Sequence, residues 1–351
     1  MTLKPLFAFI ILTVFAVNSV PMATASVDSE SSLRPEPIAP TRGVLDMPKQ
    51  PRIVGEWWPV AGDPDLGELT SPQQQPVDFG IWQAADGSWQ LWSCIRTTKE
   101  PGKTRLFYHW EGAKLTDRDW KPMGIAMQAD PTLGETQGGL QAPYVFRNAG
   151  RYWMFYGDWV HICSATSKDG KRFERRILPG GKTGMFDEGA DRDPNSPAPT
   201  QTGGNNARDP MVLRIGDLWH CYFTAHPAGK GAVYCRTSRD LTTWSEARIV
   251  AKGGQSGDGP YSSECPFVVE LKPGQFYLFR NQIYGQKARC SVYFSHDPLD
   301  FGVDNDKDHF LCTLPCAAPE IFKTQGKYYI AALLPSLKGI QIARLDWVSA
   351  K

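Results

Sequence analysis

Charge of one sign is what this sequence lacks most plainly. Its 38 Lys and Arg stand against 37 Asp and Glu, a formal net charge of +1. Near-balance of that kind leaves no electrostatic footprint for nucleic acid or for an anionic membrane surface. Long apolar runs are scarce too. The one sustained run, residues 6–17, falls short of the roughly 20 residues that a spanning helix needs. None of the eight cysteines forms a Cys-x-x-Cys motif, and Cys312 with Cys316 has no second pair. Nor do His161, His220 and His226 stand at ligand spacing, so no metal and no cofactor is expected, and these side chains are read as structural or as substrate contacts.

The short apolar run is nonetheless informative. Lys4 precedes it, and the small residues Ala23-Thr24-Ala25 follow. That is the layout of a cleavable secretory signal over residues 1–25, which implies export to the periplasm or the medium and no membrane attachment afterwards. Residues 26–51 are rich in proline and lack apolar periodicity, so they read as a lead-in, with one folded domain over residues 52–351. An exported chain permits disulfides, and eight cysteines allow 105 full pairings. Cys221 and Cys235 lie symmetrically about Ala228 in a hairpin-like segment, which sets up the expectation that they face each other and bond. Oligomeric state is not written in the sequence.

What the chain does have is a phrase repeated five times: an apolar strand, a tight turn that usually carries Gly, and an aromatic-rich strand. The copies run over residues 76–96, 140–159, 207–226, 263–282 and 316–334. Pro143, Pro210, Pro266 and Pro319 mark four of them at steps of 67, 56 and 53 residues, a blade-like spacing. Further strands follow several copies, as in ICSATSKDGKRF and VYCRTSRDLTTW. A β-sandwich gives no reason for one phrase to recur five times, so the expectation is an all-β, five-bladed β-propeller. In that fold the first strand of every blade lines a central channel, and residues opening each copy converge at one mouth.

Aligning the copies on the residue before the marker proline puts Asp78, Ala142, Asp209, Cys265 and Ala318 in equivalent places. With Glu264 beside Cys265, three carboxyl groups meet at the mouth. Crowded carboxyls repel, so one tends to keep its proton while another stays ionised, which is the acid and base pairing that glycosidic cleavage needs. Taken singly, each acid suits a turn or strand end equally well.

These residues carry a resemblance to the five-bladed propeller glycosidases, glycoside hydrolase families 32 and 43, over roughly residues 52–347. Arg208-Asp209-Pro210 is similar to the Arg-Asp-Pro motif of family 32, and Glu264-Cys265-Pro266 is similar to its Glu-Cys-Pro motif. The resemblance implies that Glu264 protonates the leaving oxygen, that Asp209 stabilises the transition state, and that Asp78 acts as nucleophile or general base. Where family 32 carries a Trp-Met-Asn-Asp-Pro-Asn-Gly type of segment, this chain reads Pro76-Val77-Asp78-Phe79-Gly80, which keeps family 43 open. Family 32 retains and family 43 inverts anomeric configuration, so the stereochemistry stays open with it.

Other sugar contacts are expected from Trp82, Tyr144 and Trp159 by ring stacking, from Asp158 and His226, and from Arg208 by bidentate hydrogen bonding or by locking Asp209. Residues 180–206, rich in Gly, Pro, Asp and Asn, are too long for a plain blade connection and are placed over the mouth. The functional expectation is an exported glycoside hydrolase acting on an oligo- or polysaccharide. The alternatives are a carbohydrate-binding propeller without turnover and, on weaker grounds, a phosphorolytic enzyme, for which Arg208 alone does not make a phosphate site.

Overall fold

The computed structural model describes residues 47–191 and 206–349. The segment expected to be a secretory leader, the expected lead-in as far as residue 46, and residues 192–205 of the loop expected over the mouth lie outside the described residues.

Five antiparallel sheets follow one another in chain order, each starting at the channel and running outward. Blade one comprises β2 (Gln75–Gln83), β3 (Trp89–Arg96), β4 (Leu106–Gly112) and β5 (Lys121–Met127). Blade two comprises β6 (Gln141–Asn148), β7 (Arg151–Gly157) and β8 (Ile162–Ser167), with β9 (Glu174–Arg175) and β10 (Gly184–Phe186) both pairing with β8. The long loop therefore begins as an outer strand of blade two. Blade three holds β11 (Arg208–Ile215), β12 (Leu218–Ala225), β13 (Ala232–Ser238) and β14 (Arg248–Lys252). Blade four holds β15 (Glu264–Lys272), β16 (Gln275–Ile283), β17 (Arg289–Ser295) and β18 (Phe310–Leu314).

Blade five closes the ring with both ends of the domain. Its inner three strands are β19 (Glu320–Thr324), β20 (Lys327–Leu333) and β21 (Gly339–Ser349), and β1 (Lys49–Gly62) pairs antiparallel with β21 as the outermost strand. The pairing of β1 with β21 joins the first and last strands of the domain in one sheet and so closes the ring. The five repeated phrases are thus the inner two strands of the five blades.

Local sequence explains the hairpins. Between β6 and β7 only Ala149 and Gly150 intervene, both with positive φ (47° and 78°), the two-residue turn whose twist matches the flanking strands. Aromatic rings fill the wedges between blades. Trp89 of blade one packs on Phe322 of blade five with centroids 5.6 Å apart, Phe146 of blade two on Trp219 of blade three at 5.1 Å, and Tyr277 of blade four on Trp347 of blade five at 4.6 Å. Pairs of this kind are worth about 0.5–1.5 kcal/mol beyond the area they bury. At the channel the inner strands come too close for side chains: a Cβ on Gly80 of β2 would stand 2.4 Å from the Pro143 carbonyl oxygen of β6.

The expected Cys221–Cys235 bond is not formed; all eight cysteines are unbonded. The β12–β13 register sets Cys221 opposite Arg236 and Tyr222 opposite Cys235. One residue of register places the two thiols on opposite faces of the sheet.

Candidate active site

Four of the five inner hairpins break their ladder where the inner strand enters the channel, and the fifth, β19–β20, pairs without a shift. Register shifts fall between Val77 and Phe79, Gln141 and Tyr144, Arg208 and Met211, and Glu264 and Phe267. Asp78, Ala142, Asp209 and Cys265 occupy those bulges, and Ala318 the matching point before β19, with φ values of 36°, 44°, 55°, 49° and 49°. A left-handed conformation costs an L-residue roughly 1–2 kcal/mol, and here it turns the following strand while re-aiming the bulged side chain toward the axis. The positions aligned by repeat are one physical ring.

Two layers result. The ring itself contributes Asp78 and Asp209, and the residues one step earlier contribute Gln141, Arg208 and Glu264. A cavity of about 630 Å³ opens above, lined among others by Asp78, Arg208, Glu264, Trp159 and His226. Beneath it a chamber of about 20 Å³ is walled by Asp78, Asp209, Cys265, Ala318 and Glu320. Asp78, Asp209 and Cys265 present O, O and S atoms within 4.8 Å of one another. Burial, followed by Asp209 and Asp78, holds the Cys265 thiol well above its ordinary value, so it is a neutral neighbour and a poor metal ligand.

The hydrogen bonds bind these layers together. Arg208, buried at 3% exposure, donates from Nη2 to Glu264 Oε1 at 2.6 Å and from Nε at 3.2 Å, and its Nε stands 3.7 Å from Asp209 Oδ2. Asp209 Oδ2 also accepts the Cys265 backbone N–H at 2.9 Å, and the Cys265 thiol donates to Asp78 Oδ1 at 3.4 Å. Burial alone would lower the Arg208 pKa, yet Glu264 and Asp209 outweigh it and hold the guanidinium firmly charged.

Carboxyls packed this deeply cannot all ionise. Asp209 is pushed up to about 7, first by burial and then by Asp78. Asp78 is raised by burial and by Glu264, against the pull of Arg105 and Arg96. Glu320 is raised well above its ordinary value by burial, with Asp209 and Asp78 adding to it. The cluster therefore stores protons near neutral pH beside an ionised Arg208, the condition that acid–base cleavage requires. His226 is driven down to about 4 by burial and then by Arg208, and it lines the cavity as a neutral ring.

Three of the expected sugar contacts stand elsewhere. Trp82 turns into the wedge between blades one and two, where its Nε1–H donates to the Gly170 carbonyl at 2.8 Å and Phe173 meets it edge-on. Tyr144 packs against Phe146 and Phe267, off the cavity. Asp158 is buried and accepts the backbone N–H groups of Val160 and His161, so it shapes the turn that presents Trp159.

Sequence reasoning missed Arg96, Arg105, Gln141, Asn206, Tyr261, Gln282 and Tyr284 of the cavity wall, and Glu320 below. Gln141 had a signal: it precedes Ala142 as Arg208 precedes Asp209 and Glu264 precedes Cys265. Its amide is 1% exposed with neither Nε2 nor Oε1 hydrogen-bonded, a buried polar group held without a partner at the cavity wall.

Residues 87–329 match the family model described as the glycosyl hydrolases family 32 N-terminal domain. This chain belongs to glycosyl hydrolase family 32. The family-32 match takes in Arg208, Asp209 and Glu264 and begins after Asp78, so the first-blade carboxylate rests on its place in the ring. No curated protein matches the chain by sequence. Among solved structures, a thermostable family-43 glycoside hydrolase is 15% identical with a TM-score of 0.56, over 80% of this chain and 92% of that one. The endo-arabinase of Bacteroides thetaiotaomicron VPI-5482 is 15% identical at 0.54, over 82% and 98%. A family-32 β-fructofuranosidase of Bombyx mori, in complex with sucrose, is 16% identical at 0.52, over 82% of this chain and 62% of its own. At such identities these structures share the propeller fold of the family-32 chain.

Proposed function

We propose that the chain is an exported glycoside hydrolase that cleaves a glycosidic bond over the Asp78–Asp209–Glu264 cluster. The observation that carries this reading is the Arg208 guanidinium shared between Glu264 and Asp209 at the floor of an open cavity. Glu264 is the carboxyl of the second layer, at the open cavity, and as general acid gives its own proton to the leaving oxygen. Arg208 grips Oε1, and no described hydrogen bond claims Oε2, which is the oxygen left for the substrate.

Asp78 attacks the anomeric carbon as that carbon–oxygen bond breaks, forming a glycosyl ester. Water, deprotonated by Glu264, then releases the sugar and restores Asp78. Asp209 supports both steps by hydrogen bonding to sugar hydroxyls, for which its Oδ1 stands buried and unpartnered. Export rests on the leader at residues 1–25, and amino-terminal sequencing of the mature protein tests it, with a start close to Ser26 expected.

The activity is tested by release of reducing sugar from fructans, arabinans, xylans and algal glycans, comparing the parent with Glu264→Gln. Release by the parent that is lost in the variant upholds the reading. Binding of a glycan without release by either protein overturns it in favour of a binding propeller.

A further inference from the structure

The cavity wall contributed by blades one and two differs chemically from the acidic floor. Three guanidiniums line the cavity, Arg96, Arg105 and Arg208, against two carboxyls, Asp78 and Glu264. Arg208 is taken up by Glu264 and Asp209. Among the described residues neither Arg96 nor Arg105 makes an ion pair. Arg96 donates from Nε and Nη2 to the neutral Gln75 Oε1 at 2.9 and 2.8 Å, which fixes its plane and leaves Nη1 over. Arg105 lies against the Trp159 ring, 4.9 Å from its centroid, and hydrogen-bonds the buried Cys94 side chain, which leaves its other donors at the rim of the guanidinium.

The same wall holds two further orphaned groups. Trp159 Nε1–H and the Gln141 amide are buried, lack partners, and belong to residues lining the cavity. Buried donors without partners are costly to maintain in a folded protein, and a bound ligand relieves that cost.

Asp78 is the carboxyl that faces this pair, and both arginines pull its pKa downward. Its charge, however, is consumed in the reaction. Once Asp78 is esterified to the sugar, Arg96 and Arg105 lose the Asp78 carboxylate charge that faces them.

We propose that Arg96 and Arg105, with Trp159 and Gln141, form a subsite for an anionic substituent on the sugar whose anomeric carbon meets Asp78. Two sources share that chemistry, the carboxylate of a uronic acid and a sulfate ester. Both are planar-edged or multidentate oxyanions that a guanidinium binds through paired N–H donors. The inference rests on the glycosidase reading above, and its test reads binding separately from turnover.

Binding is measured by calorimetry on the full-length Glu264→Gln protein with two matched pairs of probes. One pair is oligogalacturonides and their carboxyl-reduced counterparts; the other is sulfated galactan oligosaccharides and the same material desulfated. The expected result is that the acidic member of one pair binds about tenfold or more tightly than its neutral twin. Which pair discriminates names the source. Adding Arg105→Gln is expected to erase the difference, whereas Arg105→Lys restores part of it, which separates lost charge from lost folding.

Equal binding of acidic and neutral twins, a preference that survives Arg105→Gln, or binding of neither member of either pair overturns the subsite. Turnover in the parent protein is scored independently. Discrimination in binding with no cleavage by the parent leaves the subsite standing and fails the hydrolase. Cleavage of a neutral glycan as fast as its acidic twin does the reverse.

Discussion

Arg208 of blade three reaches across to blade four and holds Glu264 Oε1 at 2.6 Å, while the same guanidinium stands 3.7 Å from its own neighbour Asp209. One buried cation therefore orients the proposed proton donor and offsets the carboxyl that stores the proton. Arg208→Lys keeps the charge but cannot span both contacts with a planar fork. It is expected to lower kcat by about 100-fold with little change in Tm, because misplacement of a catalytic group by an ångström costs on that order. Steady-state kinetics on whichever glycan is cleaved checks this, and a kcat within threefold of the parent removes Arg208 from the mechanism.

Asp209 gives a prediction in pH. Its folded pKa is pushed up to about 7 from an ordinary 3.8, so the native protein keeps a proton that the unfolded chain has released. Stability from this group is complete below the ordinary value and is lost as pH rises through about 7. Asp209→Asn carries no such loss. Its Tm is expected to gain on the parent between pH 5 and pH 8, reaching roughly 5 °C at the upper end, while activity falls. Thermal melts at both pH values decide it, and parallel Tm curves refute it.

Glu320 lies under Asp78 and Asp209, and burial, with those two carboxyls adding to it, raises its pKa well above the ordinary value and favours the protonated form. A neutral amide of the same shape reproduces that state. Glu320→Gln is expected to fold with unchanged or higher Tm and to keep activity within about threefold, since the amide keeps the shape and the neutral form of the side chain. A collapse of kcat would instead place Glu320 among the groups that exchange protons with Asp78.

Tyr261 and Trp82 separate two kinds of aromatic residue. Tyr261 lines the cavity with 60% of its surface exposed, whereas Trp82 is locked to Gly170 inside the wall. Tyr261→Ala is expected to raise KM by about tenfold with Tm unchanged, as loss of a stacking platform does. Trp82→Ala is expected to lower Tm sharply, at about 3–5 kcal/mol of stability. Kinetics and melts on both variants test the contrast.

Gly80→Ala probes a close approach between the inner strands of blades one and two. Its Cβ would press on the Pro143 carbonyl oxygen, a backbone atom that cannot swing aside as a flexible side chain would. Overpacking of this kind is expected to cost about 1–3 kcal/mol, read as a loss of Tm.

How much could be read beforehand depends on the direction in which information runs along the chain. Repetition is local: each blade needs its own inner hairpin, turn and bulge, so Asp78, Ala142, Asp209, Cys265 and Ala318 could be aligned from text and proved to share positive φ. Arg208 and Glu264 followed from the same alignment. Trp82 and Tyr144 could not be told from cavity residues, because a strand shows only alternation and both faces of a propeller blade are covered by neighbouring blades. The Cys221–Cys235 pair failed by a single residue of register, which a hairpin with a loop of undetermined length does not announce.

The chain order of residues thus settled the number of blades, the ring of bulges and the presence of three carboxyls at its mouth, because those follow from a unit that repeats every 53 to 67 residues. Folding in three dimensions settled which charges face one another. Arg96 and Arg105 from blade one meet Trp159 and Gln141 from blade two, and Glu320 from blade five slips beneath Asp78. No periodicity encodes those meetings. They arise from the closure of the ring, which brings strands far apart in sequence within a few ångströms at a common axis, where burial and mutual charge set the chemistry.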